Sequence, residues 1–119
     1  MSPRSRMGEL EQAVLEVLWD LGSASGREVH ERLATRDLAY TTVMTVLDRL
    51  ARKDVVARER DGRAFRYAAR RTRAEMTAEL MREALDVTGA DRDQALVSFV
   101  GEASAEDVAA LRRALADLA

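Results

Sequence analysis

AYTTVMTVLDRLARK, residues 39–53, has the spacing of a helix and a composition that suits a helix poorly. Thr41, Thr42, Val43, Thr45 and Val46 put five β-branched residues into six positions. Such side chains lose χ1 freedom against the preceding turn, at roughly a few tenths of a kcal/mol each relative to alanine. Val43, Val46, Leu47 and Leu50 nevertheless recur at helical spacing, which predicts a helix with one buried face. Something other than propensity has to account for the threonines.

The rest of the chain sets limits on that account. With 119 residues it has the length of one ordinary domain, or of a small domain with an appendage. At 47% hydrophobic and 34% charged it can bury a core, and with only 4% aromatic residues that core must be mainly Leu, Val and Ala. One proline and six glycines favour helices. The lack of cysteine removes disulfides, thiol catalysis and thiolate metal sites, and suits a reducing cytoplasm. MSPRSRMGELEQ lacks the apolar centre of a signal peptide, and no apolar run approaches the roughly 20 residues that span a bilayer. The expectation is a cytoplasmic protein without membrane insertion.

Outward from residues 39–53, the pattern predicts three helices and a hairpin. GELEQAVLEVLWDLG, about 8–21, carries a stripe of Leu10, Val14, Leu18 and Leu21, with Trp19 at the core or its edge and Gly22 closing the helix. A short second helix starts at Ser25, where Ser25 and Glu28 have capping-box spacing and Val29 and Leu33 face inward. His30 lies beside them and, with no second His and no Cys, reads as structural. After residues 39–53, VVARERDGRAFRYA predicts a β-hairpin with Asp61-Gly62 as its turn, which would put Val56, Phe65 and Tyr67 on one face; a longer, looser tip is the alternative, and the register stays open. Three further helices are predicted: about 73–87 after a Thr72/Glu75 capping box, about 91–101, and a last one from Ser104. Their apolar stripes are too slight for a separate monomeric core, and a second copy would complete it. The expected division is 1–70 and 71–119.

Charge divides the chain near the same place. From Arg49 to Arg73 ten basic residues face three acidic ones, a balance of +7, whereas from Arg71 onward six basic face ten acidic, a balance of −4. One part is suited to a polyanion and the other is not.

Three helices followed by a hairpin is the order of a winged helix-turn-helix, mainly α with a small β-hairpin, in which the third helix enters the DNA major groove. Thr41, Thr42 and Thr45 then face the groove, opposite Val43, Leu47 and Leu50, where short hydroxyl and methyl groups suit close approach and base contact. Arg49, Arg52 and Lys53 continue that side, with Tyr40 and Met44 in the same set, and Arg60 and Arg63 stand at the wing tip. Two readings compete with this one. Tertiary packing can tolerate Thr and Val without recognition, and a winged helix can bind protein only, although a neutral or acidic third helix and wing would have favoured that. No glycine-rich phosphate loop, metal-spaced His and carboxylate set or nucleophile motif supports an enzyme, so no cofactor and no metal are expected.

GELEQAVLEVLWDLG, SGREVHERLA, LAYTTVMTVLDRLARKDVVARERDGRAFRYAA and ALVSFV resemble the BlaI/MecI/CopY family of penicillinase and methicillin-resistance repressors, most of all its actinobacterial BlaI branch. The resemblance covers about residues 7–118. It implies a homodimer with an N-terminal winged helix, a C-terminal helical dimerisation domain and palindromic operator DNA ahead of a β-lactamase or related stress gene. Met76, Leu80, Leu85, Phe99, Val108, Leu111 and Leu115 are the expected dimer contacts. In staphylococcal relatives a membrane-bound sensor protease leads to cleavage between an Asn and a Phe. Here that position reads Ser98-Phe99, which keeps the Phe and lacks the Asn. Those relatives also carry Lys at the position of Thr41 and Arg or Gln at that of Met44, which implies a different operator. The cysteine cluster of the copper-responsive branch is missing, and copper sensing by that route with it.

Overall fold

The computed structural model describes residues 8–119. In chain order it contains α1 (Glu9–Leu21), β1 (Ala24–Ser25), α2 (Gly26–Arg32), α3 (Tyr40–Arg52), β2 (Val56–Asp61), β3 (Ala64–Ala69), α4 (Arg73–Val87), α5 (Arg92–Gly101) and α6 (Ala105–Leu118). Single 3-10 turns lie at Ala34–Arg36 and Gly89–Asp91. The chain forms two compact units that divide inside α4, between Met81 and Arg82.

The N-terminal unit is built on the inward face of α3. Val43, Leu47 and Leu50 are fully buried and Val46 nearly so, in one core with Val14, Leu15 and Leu18 of α1, Val29 of α2, Val56 of β2 and Tyr67 of β3. Fully burying one Val or Leu is worth roughly 1.5–3 kcal/mol. That outweighs the few tenths of a kcal/mol, roughly, that each β-branched residue costs the helix. Burial, not propensity, makes this segment a helix.

The ends of the elements follow from local chemistry. Gly22 closes α1 at φ +83°, its N–H donating to the Leu18 carbonyl at 2.8 Å. At the end of α3, Val55 N–H reaches back to the Leu50 carbonyl at 2.9 Å and Asp54 N–H to that of Ala51 at 3.1 Å. This is a Schellman closure, with Asp54 at φ +63° where glycine is usual. It turns the chain straight into β2. Ser25 and Glu28 form the expected capping box at α2, and Thr72 and Glu75 the expected pair at α4.

The hairpin differs from expectation by one turn position. Asp61 pairs with Ala64 and Arg60 with Phe65, so the loop residues are Gly62 and Arg63 rather than Asp61 and Gly62. Gly62, at φ +65°, takes the first loop position, where a primed turn needs a residue without Cβ. Partners across the ladder move by two residues, which preserves the faces: Val56, Phe65 and Tyr67 still lie together. A third strand, too short for a periodic signal, completes the sheet in the order β1-β3-β2, with Ala24 opposite Tyr67 and Ser25 opposite Arg66. Arg66 fastens this corner: its guanidinium reaches Glu28 at 3.1 Å and the Ser23 carbonyl at 3.2 Å.

The N-terminal unit extends past the boundary expected at Arg70. Trp19, at the core edge as expected, donates its indole N–H to the Arg71 carbonyl at 2.8 Å, and Arg73 lies 5.1 Å from its ring while pairing with Glu16. Met76, expected at a dimer contact, is buried in this same core. The C-terminal unit is different in kind, because none of residues 82–119 is buried. Phe99 is 52% exposed and Leu115 66%, and Leu96, Val97 and Val100 are exposed as well. Ser104 caps α6 through the Asp107 N–H at 3.1 Å, and Arg92 pairs with Asp86 at 2.8 Å.

The Glu28 carboxyl titrates below its ordinary value of 4.5, held down first by the Ser25 backbone N–H and then by the Ser25 hydroxyl and Arg66. A group lowered on folding stabilises the fold above its unfolded pKa and loses that contribution as pH falls through the folded one. Urea unfolding should therefore show a midpoint that declines below about pH 4.5, and Glu28→Gln should flatten part of that decline. An unchanged pH profile would show that the cap does not couple to folding.

Candidate nucleic-acid interface

The outward face of α3 is polar and open. Thr41, Thr45, Arg49 and Arg52 are exposed, whereas Thr42 and Met44 are half-buried. Thr45 donates its hydroxyl to the Thr41 carbonyl at 2.9 Å, so its proton is taken up within the helix. Its oxygen remains able to accept, and its side chain is held in one rotamer. Ala39 precedes α3 without a side-chain cap, which leaves first-turn N–H groups for solvent or an incoming acceptor. Tyr40 meets the His30 ring edge-on at 5.7 Å, and the His30 Nε2–H donates to the Leu38 carbonyl at 2.8 Å. His30 thus ties α2 to the start of α3.

Met44 is held where α2 crosses α3. A Cβ added at Gly26 would strike the Met44 sulfur and come within 3.4 Å of the Tyr40 hydroxyl. Gly26 is therefore small because the helix-turn-helix crossing is tight. Its significance lies in the three-dimensional crossing and leaves no trace in local periodicity.

The basic block is largely compensated. Seven of its ten cations sit in ion pairs: Arg52 and Arg58 with Asp48, Lys53 with Glu11, Arg66 with Glu28, Arg70 with Asp54, Arg71 with Glu79 and Arg73 with Glu16. Arg49, Arg60 and Arg63 have no carboxylate partner among the described residues. Among the expected contacts, Lys53 is tied to α1. Its ammonium lies 3.1 Å from Glu11, which is only 6% exposed and also accepts the Gly8 N–H at the start of α1. The sequence separation of that pair hides it from any local reading.

The wing has its own order. The Arg58 guanidinium lies 4.4 Å from the Phe65 ring centroid and 3.8 Å from Asp48, and Arg60 stands 5.9 Å from the same ring. Beneath them burial pushes the Tyr67 phenol above its ordinary pKa, an effect that nearby Arg58 opposes. Arg58 and Asp48 were not among the expected site residues. Alternation along β2 with Val56 and Arg60, and the i, i+4 spacing of Asp48 and Arg52, are the signals that mark them. Among the described residues no cluster of three or more His, Cys, Asp or Glu could hold a metal ion, and no helix is long and apolar enough to cross a membrane.

Three helices with a three-stranded antiparallel sheet, its hairpin beside an exposed third helix, define a winged-helix protein. Residues 7–117 match the family described as Penicillinase repressor. The chain belongs to that family. It is 50% identical, over 122 aligned positions, to the transcriptional regulator BlaI of Mycobacterium tuberculosis, covering 99% of this chain and 88% of that protein. Among solved structures it is similar to the DNA-binding domain of the repressor BlaI (TM-score 0.54, 26% identity, 63% of this chain and 93% of that one). A MarR family protein from Bacillus stearothermophilus shares the fold, with a TM-score of 0.53 at 20% identity over 98% of this chain and 76% of its own.

Gly26→Ala should displace Met44 and lower stability by about 1 kcal/mol, near the low end for overpacking because a flexible side-chain end can move. Shortening the neighbour in Gly26→Ala/Met44→Ala should make the added methyl nearly neutral. A double-mutant cycle by urea denaturation measures this, and simple additivity would show that the two do not meet.

Proposed function

We propose that this chain is a homodimeric transcriptional repressor that binds palindromic operator DNA in the cytoplasm and controls β-lactamase, β-lactam-response or related stress genes. The observation that carries the DNA reading is that Arg49 on α3 and Arg60 and Arg63 on the wing are exposed without a carboxylate partner among the described residues, while Thr41 and Thr45 are exposed on the same helix as Arg49. Where seven neighbouring cations are paired, three left open at the third helix and wing tip suit phosphate oxygens and guanine edges. The uncapped start of α3 adds backbone donors of the kind that bind phosphate. Membership of the family and the identity to BlaI support repression as the outcome.

The dimer reading rests on the C-terminal unit. With no buried residue, Leu85, Phe99, Val108, Leu111 and Leu115 need another surface, and Leu80 stands half-buried on the same helix, α4. A second copy supplies that surface and brings two winged helices to two half-sites. Release by a membrane-bound sensor protease acting at Ser98-Phe99 also fits. That bond lies within α5, where the Ser98 carbonyl accepts the Glu102 N–H at 3.3 Å, so cutting requires the last turn to unwind. In cells given a β-lactam, an immunoblot should show a shortened fragment that disappears on Phe99 substitution; derepression with the chain intact would point to another release.

Fluorescence anisotropy on the palindrome upstream of the protein's own gene tests the interface. Thr45→Ala and Arg49→Ala should each cost about 1–3 kcal/mol and relax base preference. Arg60→Ala and Arg63→Ala should weaken all duplexes alike and lower the salt slope by about 0.9 for every phosphate no longer neutralised. Unchanged affinity in the triple arginine variant would exclude this face.

A chain ending at Met81 retains Met76 in the core, which one ending at Arg70 would not. It should sediment as a monomer and bind the operator much more weakly. A dimer at micromolar concentration would place the interface in the N-terminal unit.

A further inference from the structure

Asp48 is the one acidic side chain of α3, and helical spacing puts it on the stripe of Thr41, Thr45 and Arg52. A carboxylate in that position repels the polyanion its neighbours would meet, so its presence needs a compensating role. Two guanidiniums converge on it. Arg52 comes from the same helix at 3.1 Å, and Arg58 crosses from β2 at 3.8 Å. Arg58 is held from its other side by the Phe65 ring, and Phe65 sits opposite Arg60 in the wing ladder. Carboxylate, guanidinium and ring thus form a strut from the recognition helix to the strand pair that carries Arg60 and Arg63.

The strut is solvated. The Arg58 and Asp48 side chains are 42% and 44% exposed, so the pair adds little to global stability. The buried side chains of Val56 and Tyr67 already anchor the base of the hairpin. What remains to be set is the angle of its outer half. A weak, directional contact suits that task. It also occupies two cations that would otherwise hold any phosphate.

We propose that Asp48 is a positioning residue: through Arg58 it sets the wing against α3, so that groove contacts and wing-tip phosphate contacts are made together. The proposal rests on the operator-binding reading above. A wing that swings freely must be ordered at each binding event, which lowers affinity for the matched site. The freed arginines meanwhile raise affinity for unmatched DNA. Discrimination falls from both sides.

Anisotropy titrations of the full-length protein on its own upstream palindrome and on a scrambled duplex test this, with Asp48→Asn and Arg58→Lys. Simple electrostatics predicts that Asp48→Asn tightens binding to both duplexes equally. The strut predicts that the ratio of matched to scrambled affinity falls by about two- to fivefold, the range of one exposed ion pair. Arg58→Lys keeps the charge but loses the planar group that stacks on Phe65. It should lower the ratio to the same extent with the salt slope unchanged. Amide order parameters at Gly62 and Arg63, measured by NMR without DNA, should fall in both variants. Wild-type ratios or wild-type tip order in both variants would overturn the proposal. A wild-type protein that does not prefer the palindrome would overturn the operator reading instead, with the order parameters still testing the strut.

Discussion

Burial of Val43, Val46, Leu47 and Leu50 is the contact on which the other positions depend. It fixes the rotation of α3 about its own axis. Once those four residues face α1, α2 and the sheet, Thr41, Thr45 and Arg49 can only face outward. The same burial brings Leu50 and Ala51 to the carbonyl positions that close the helix, and β2 leaves from there in one direction. The wing is therefore placed by the core rather than by its own turn.

Around that frame, charge is mostly compensated. The +7 block is not a diffuse basic surface, because most of its cations face a carboxylate. Lys53 joins the end of α3 to the start of α1, and Arg66 joins β3 to the capped start of α2. The cations of the block left without a carboxylate partner among the described residues are three, one on α3 and two on the wing. This makes the face directional, where an uncompensated block of the same size would bind polyanions without regard to orientation.

Much of this was legible in the sequence because its causes are local. The periods of the helices, both capping boxes and the sidedness of residues 39–53 depend on neighbours within a turn or two. The hairpin faces survived an error in its turn because a shift of one loop position moves partners by two. What was not legible depends on long separations. The pairing of Lys53 with Glu11 and the burial of Met76 in the N-terminal core leave no local trace, because their partners lie on other elements. Ala24 and Ser25 gave no strand signal, being ordered by β3 rather than by their own pattern. Gly26 shows its purpose only where two helices cross.

The C-terminal unit has no interior of its own. A segment of that kind stores no stability in itself, and on the dimer reading its folded lifetime is a property of concentration. Each copy would be most vulnerable just after synthesis and before it meets another, when Phe99 and its neighbours stand open to chaperones and proteases. Such a cell would have a census of the protein built into its chemistry: scarce copies are lost and abundant ones persist. The level at which the population becomes self-sustaining would be set by how well α5 and α6 fit a second chain, independently of anything encoded in the winged helix.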